Sequence, residues 1–195
     1  MAGEGGVSLG PDELERWESV GFLKLPSGLP SEQVVQLRSW FAGHPRSSIA
    51  IPGSAAAEDA IPAPLRAGGA VGYGARELLD SASLDLQAWL DVLEADAAGQ
   101  SARQDALALG EPGAMGVLAL DPLTSENGCP QLVPGGHRIA LPHDPQGRLE
   151  PEIALSLTWS YQPLAPGELL WFRPGVPWRS GTNYTTRPRL ALHLA

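Results

Sequence analysis

Apolar residues return every three or four positions through much of the first hundred residues, a spacing typical of amphipathic helices. We predict a first helix that begins near Pro11 and ends at Gly21. A second helix is predicted over residues 31–41, with the serine at its first position as N-cap. One or two more are predicted within 75–98, and the alternating segment 22–26 is typical of a short strand.

The hydrophobic period changes to two after Gln104, and short apolar runs replace the helical spacing. Glycine and proline separate these runs, as they separate the strands of β-sandwiches and barrels. The predicted strands are 106–109, 115–120, 131–133, 153–159, 169–172 and 190–194. The pattern therefore predicts a mainly β fold of two sheets with flanking helices.

The length of 195 residues fits one domain, which can bury a core without disulfides or a structural metal. Residues 1–9 are small and glycine-rich, so we predict a disordered tail followed by a single domain over 10–195. Residues 42–75 are rich in glycine, proline, alanine and serine, which predicts a flexible insertion. This insertion is either a mobile connection or a flap over a pocket.

Charge and cysteine content exclude several classes of protein. The formal net charge is −9, and the 13 lysine and arginine residues are scattered, so we expect no nucleic-acid partner. The sequence shows neither a secretory signal nor an apolar run that could span a bilayer, so we expect no membrane partner. The only cysteine, Cys129, fits a reducing compartment, which predicts a cytoplasmic protein. High alanine, glycine, proline and arginine content indicates a bacterial source.

Two consecutive segments carry a recognisable motif. Residues 116–128 read Gly-Val-Leu-Ala-Leu-Asp-Pro-Leu-Thr-Ser-Glu-Asn-Gly, and residues 129–138 read Cys-Pro-Gln-Leu-Val-Pro-Gly-Gly-His-Arg. With Gly-Glu-Leu-Leu-Trp-Phe at 167–172 and Arg-Ser-Gly-Thr-Asn at 179–183, the chain resembles the phytanoyl-CoA dioxygenase family. This resemblance implies a double-stranded β-helix, the cupin-like jelly roll, in a single domain.

The resemblance also shows where this chain departs from the family. Family members hold iron with two histidines and one aspartate, a facial triad that leaves positions for 2-oxoglutarate and oxygen. Residue by residue, the first histidine position holds Arg103, the aspartate position keeps Asp105, and the distal histidine position holds Trp178. Neither a guanidinium nor an indole N–H offers a lone pair to a metal. We therefore expect no metal in the barrel.

Charged residues at the family's site positions are the first candidates for chemistry. Arg103 and Asp105 are two positions apart on a predicted strand, so their side chains share a face. They either repair a lost metal site or form a catalytic, substrate-gripping pair. Arg189 matches the arginine that grips the far carboxylate of 2-oxoglutarate in the family. It either binds a substrate oxyanion or is a surface arginine beside Arg187 that pairs with acidic neighbours.

Aromatic residues predict a ligand pocket or a filled core. Trp178, with Trp159, Trp171 and Tyr161, would turn a metal cavity into an aromatic box for an apolar ligand. The alternative is that these rings only pack the interior. Trp178, Trp171 and Tyr161 are retained as candidate substrate-binding residues.

Two polar residues complete the candidate site. His137 follows a predicted strand and is the candidate catalytic group that titrates near neutral pH, although the resemblance implies a structural role there. Asn183 stands near the distal ligand position, where it contacts either substrate or backbone.

No other cofactor site is predicted. Cys129, His137, His143 and Asp144 match none of the usual zinc spacings. The chain also lacks a nucleophile elbow and a phosphate-binding glycine loop. We therefore predict no metal and no cofactor, with a small molecule as partner, and leave a homodimer open.

Three functions fit these features. The first is a metal-independent enzyme that binds a small apolar metabolite and promotes cyclisation or isomerisation in natural-product biosynthesis. The second is a non-catalytic, ligand-binding pseudo-oxygenase. The third is an active iron and 2-oxoglutarate oxygenase with an atypical metal site.

Overall fold

The computed structural model describes residues 9–27, 29–43, 48–51, 78, 86–105 and 113–195. Their helices are α1 (Pro11–Val20), α2 (Ser31–Ala42) and α3 (Pro151–Ser156), with a 3-10 turn at Gly136–Arg138. Their strands are β1 (Phe22–Pro26), β2 (Ser48–Ile51), β3 (Leu86–Leu93), β4 (Met115–Ala119), β5 (Pro130–Leu132), β6 (Ser160–Tyr161), β7 (Glu168–Phe172), β8 (Trp178–Ser180) and β9 (Arg189–Leu194). No helix in these ranges is long and apolar enough to cross a membrane.

The strands form two antiparallel sheets. The larger sheet has the order β1-β7-β4-β9-β3-β2, and the smaller has the order β6-β5-β8. Side chains alternate across β7, so Leu170 and Phe172 pack between the sheets while Leu169 and Trp171 pack with residues of α1 and α2. The prediction of a mainly β, double-sheet fold with flanking helices is confirmed.

The helical predictions near the amino terminus are largely confirmed. The first helix ends where Gly21 adopts a φ of 88° and its N–H donates to the carbonyls of Arg16 and Trp17. The predicted cap of α2 is wrong by one residue, because Pro30 is the N-cap and makes no side-chain cap bond. Leu9, the last residue of the predicted tail, is buried, and residues 1–8 lie outside the described ranges.

Two predicted elements have the opposite secondary structure. Within the region 75–98, predicted to be helical, the described residues 86–93 form β3, which pairs with both β2 and β9. Conversely, the run 153–159 begins in α3, whose first residue is a proline that suits a helix start. Sheet pairing overrides local periodicity in the first case. Of the predicted insertion, residues 48–51 form β2, and the strand predicted at 106–109 lies outside the described ranges.

An isolated bridge extends the small sheet towards the candidate site. Arg103 N–H donates to the Trp178 carbonyl at 2.9 Å, and Trp178 N–H donates to the Arg103 carbonyl at 2.8 Å. The next residue, Gln104, is buried and points the other way. Its amide nitrogen donates to the carbonyls of Ile139 and Gly175, both at 2.7 Å. These bonds fix the backbone that carries residues 103 and 105.

Candidate functional site

Arg103, Asp105 and Trp178 form one cluster on the inner side of the small sheet. The Trp178 indole nitrogen donates to Asp105 Oδ2 at 2.7 Å, and Arg103 Nη2 lies 2.9 Å from Asp105 Oδ1. The Arg103 guanidinium carbon also lies 5.5 Å from the centre of the Trp178 ring, a cation–π distance. Both carboxylate oxygens of Asp105 therefore have a partner.

The cluster is closed towards the interior and partly open to solvent. Trp178 is 4% exposed and packs against Phe172, with 5.9 Å between ring centres. The side chains of Asp105 and Arg103 are 18% and 37% exposed. The buried Arg103 Nε has no partner among the described residues. A ligand that approaches from solvent therefore meets the cation first and the indole behind it.

Arg189 lies deeper, and its guanidinium is already occupied by an internal acid. Nη1 forms an ion pair with Asp91 on β3, and Nη2 donates to the Gly128 carbonyl at 3.2 Å. Burial alone would raise the pKa of Asp91, but the His193 hydrogen bond and the charges of His193 and Arg189 lower it well below its usual range. Asp91 is thus ionised and neutralises Arg189. The predicted pairing with an acidic neighbour fits this geometry, but the prediction of a surface position is wrong, because Arg189 is buried.

His193 is a buried histidine of β9 that was not among the predicted site residues. Its Nε2 lies 3.4 Å from Asp91 Oδ2, and its ring stands 5.5 Å from Trp89 and 5.6 Å from Trp178. Two features of the sequence indicate a role for this histidine. Strand alternation places residues 189 and 193 on the same face of one strand, and the apolar run 86–93 contains a single acidic residue, Asp91. The helix predicted over 86–93 concealed the second feature, because it gave no reason to place Asp91 beside residues 189 and 193.

A small cavity remains between the sheets beside this cluster. Its volume is about 10 Å³, room for about one water molecule. The apolar side of its lining includes Leu132, Phe172 and Trp178, and the polar side includes Ser180, Arg189 and His193. Trp178 therefore fills space that would otherwise connect Arg189 with the Arg103 end of the barrel.

The Asn183 side chain hydrogen-bonds to backbone groups of two separate segments. It is fully buried, and its side-chain nitrogen lies within hydrogen-bonding distance of the carbonyls of Leu93, Glu94 and Arg187 at 2.8–3.1 Å. Its side-chain oxygen accepts from the backbone N–H of Thr185 at 3.0 Å. Since both ends of the amide are used, this geometry corresponds to the backbone-bonding alternative and leaves no group for a substrate.

His137 lies against the first helix. Its Nε2 is 3.2 Å from the Glu18 carbonyl, and a Cβ added to Gly21 would come within 2.3 Å of its Nδ1. Burial lowers the pKa of His137, and the charges of Arg173 and Arg138 lower it further, against the opposing Glu18 carbonyl. The structure does not join His137 to Arg103, Asp105 or Trp178 by any described contact.

Three of the four aromatic residues predicted to line the pocket lie elsewhere, which corrects that prediction. Trp171 is fully buried on the helix-facing side of the larger sheet, opposite Gly116, where a Cβ would come within 2.7 Å of its ring. Tyr161 is 54% exposed at the edge strand β6. Trp159 packs under Arg179, with 4.3 Å between guanidinium and ring centre. Trp178 alone of the four lines the cavity described above.

The residues at the three family positions do not fit an iron ion. A guanidinium keeps its proton and an indole nitrogen only donates, so Asp105 is the only one of the three that offers a metal a lone pair. Both of its oxygens already accept from those neighbours. Throughout the described ranges, no group of three histidine, cysteine, aspartate or glutamate side chains is placed to hold a metal.

Comparisons with known proteins agree with the architecture. Residues 97–191 match the family profile described as phytanoyl-CoA dioxygenase (PhyH). Methylphosphonate hydroxylase of Gimesia maris is 38% identical over 78 residues, which make up 40% of this chain and 30% of that enzyme. The match thus spans less than a third of that relative.

Solved structures match over almost the whole chain. EvdO2 from Micromonospora carbonacea var. aurantiaca superposes with a TM-score of 0.70 at 22% identity, over 95% of this chain and 89% of that protein. SnoK, a non-heme alpha ketoglutarate dependent carbocyclase from nogalamycin biosynthesis, superposes with a TM-score of 0.67 at 18% identity, over 95% and 83%. At these identities the likeness establishes the fold.

Proposed function

Since this chain is a phytanoyl-CoA dioxygenase-like protein with the jelly-roll fold of those oxygenases, we propose that it works on a small molecule without iron. It binds a largely apolar metabolite at the Arg103 end of the barrel and promotes a non-oxidative step, either cyclisation or isomerisation. The supporting observation is the 2.7 Å hydrogen bond from the Trp178 indole to Asp105, which uses the carboxylate that a metal would need.

The 2-oxoglutarate position supports the same proposal. By its resemblance to the family, Arg189 stands where family members bind the far carboxylate of this cosubstrate. Here the Arg189 guanidinium is already in an ion pair with Asp91. A second carboxylate would have to displace a buried, ionised partner, which costs several kcal/mol. The arrangement therefore disfavours the active iron oxygenase as a function.

The residues of the cluster suit binding and orientation. Arg103 presents a permanent cation that can bind a carbonyl or another oxygen of the substrate where negative charge develops. Asp105 keeps the Trp178 ring in place, so that this ring forms a rigid apolar wall. Holding a flexible substrate in a folded shape can by itself accelerate ring closure. SnoK shows by its name that a carbocyclase uses this fold, although SnoK depends on alpha ketoglutarate.

A non-catalytic binder is the second candidate, and one observation favours it. The cavity beside Trp178 admits only about one water, so the interior behind the cluster is filled. On this reading the cluster would retain a ligand without changing it.

The proposed absence of iron is tested by metal analysis of the unaltered protein and of a variant in which the two histidines of the triad are restored. We expect the purified protein to hold no stoichiometric iron and to consume no 2-oxoglutarate. The double variant Arg103→His/Trp178→His should gain iron(II) affinity by at least about tenfold, because two imidazoles then join Asp105. The matched control adds Asp105→Asn, which should remove the gain. Stoichiometric iron in the unaltered protein with turnover of 2-oxoglutarate would overturn the proposal.

Turnover in the presence of a chelator separates an enzyme from a binder. Candidate apolar metabolites are incubated with the protein and a strong chelator, and products are followed by mass spectrometry. Loss of turnover in Arg103→Ala, with unchanged thermal stability, supports the catalytic role. If the unaltered protein and Arg103→Ala both bind a metabolite and the metabolite is recovered chemically unchanged, the non-catalytic binder is favoured.

A further inference from the structure

The Asp91 carboxylate lies where three donor side chains meet. Arg189 Nη1 and His193 Nε2 both approach its Oδ2, the histidine at 3.4 Å, and Gln100 Nε2 donates to its Oδ1 at 3.3 Å. The side chains of Arg189 and His193 are 3% and 6% exposed. A buried guanidinium with an imidazole and an amide beside it is the kind of donor set that binds a free carboxylate.

The donors and the acid come from different parts of the chain. Arg189 and His193 share one face of β9, Gln100 follows β3 in a loop, and Asp91 enters from β3. Arg189 also contacts the small cavity of about 10 Å³, and its buried Nε has no partner among the described residues. The donor set therefore retains an unused N–H after Asp91 is bound.

We propose that these donors form a carboxylate-binding site which the chain fills with its own Asp91. Asp91 is then a specificity-determining residue, because it excludes free carboxylates from Arg189. What this occupancy implies for the class of ligand rests on the proposed function: a substrate that binds in this barrel has no carboxylate on the side that faces Arg189. The occupancy of the site by Asp91 does not depend on whether the protein lacks iron.

Removal of the internal carboxylate should open the site to a small external one. Asp91→Ala leaves Arg189, His193 and Gln100 around the space of a missing carboxylate, which formate or acetate can fill. For a dissociation constant of about 10 mM, about 100 mM formate should raise the melting temperature of this variant by roughly 3–5 °C. The reference is chloride at equal ionic strength, and the unaltered protein should shift by less than about 1 °C.

Asp91→Asn is the matched control, because it removes the charge and keeps the shape. The amide still fills the space, so formate should protect this variant no better than chloride does. If the Asp91–Arg189 ion pair had only a structural role, the melting temperatures of Asp91→Ala and Asp91→Asn would respond equally to formate and to chloride. Equal melting temperatures of Asp91→Ala in formate and chloride would overturn the proposal.

The test stays decisive if Asp91→Ala does not fold in chloride. Its refolding yield is then compared in formate and chloride, and recovery in formate alone supports the site. Failure in both salts counts against it. Neither result involves iron or 2-oxoglutarate, so the carboxylate site and the proposed function are judged by separate experiments.

Discussion

Asp105 is the residue whose removal tests the cluster most directly. In Asp105→Ala, the Trp178 indole loses its acceptor at 2.7 Å, and Arg103 loses a carboxylate at 2.9 Å. A hydrogen bond to a charged group contributes about 1.5–3 kcal/mol. The ion pair adds at most about 1 kcal/mol, because the Arg103 side chain is 37% exposed and solvent screens the pair. We expect a loss of about 3 kcal/mol in the free energy of unfolding.

The loss is measurable by urea unfolding and by calorimetry. For a chain of 195 residues it corresponds to a fall of roughly 6–12 °C in melting temperature. Asp105→Asn keeps an oxygen that can accept from the indole, so its loss should be smaller, about 1–2 kcal/mol. The comparison separates the hydrogen bond from the charge.

A double-mutant cycle isolates the contact itself. Trp178→Phe removes the indole donor and keeps an aromatic ring, and it is combined with Asp105→Ala. The coupling energy should be about 1.5–2.5 kcal/mol, because the two changes remove the same bond. Strict additivity, or a loss below about 0.5 kcal/mol for Asp105→Ala, would refute the view that the indole and the carboxylate stabilise each other.

Two further predictions concern residues outside the cluster. Burial lowers the pKa of His137 below its ordinary value of 6.5, so the unfolded chain binds this proton more tightly than the folded chain does. The free energy of unfolding should therefore fall as the pH decreases through about 6.5 towards the folded pKa. In a series of urea-unfolding measurements at different pH, His137→Gln should reduce this dependence on pH. An unchanged dependence in the variant would contradict the assignment to His137. Asn183→Ala removes the amide N–H groups that lie near three backbone carbonyls, of which the contact to Leu93 is buried, and should cost about 2–3 kcal/mol by the same assay. A loss below about 1 kcal/mol would show that other donors replace it.

The candidate site divides into a part that sequence comparison locates and a part that it does not. The resemblance placed Arg103, Asp105 and Trp178 at equivalent positions, and the structure brings these three together. It also placed Arg189, but it gave no indication that Asp91 would neutralise it. That pair links β3 to β9, and a pairing between strands about a hundred residues apart leaves no trace in local periodicity.

Local chemistry was sufficient for the ends of α1 and for four of the strands of the second half. Gly21 ends its helix because its positive φ is a conformation that glycine adopts without strain. Short apolar runs between glycine and proline became β4, β5, β7 and β9 because each run carries its own propensity and turn signals. The chemical nature of positions 103 and 178, a cation and an indole, is likewise written in the chain.

Tertiary contacts decided the remaining features. Period-two alternation shows that Trp171 and Phe172 face opposite sides of their sheet, but only packing against the helices reveals which side is the barrel. Residues 86–93 become a strand because two neighbours supply hydrogen bonds along both edges. The energies that select these arrangements arise between distant segments, so they exist only once the chain has folded.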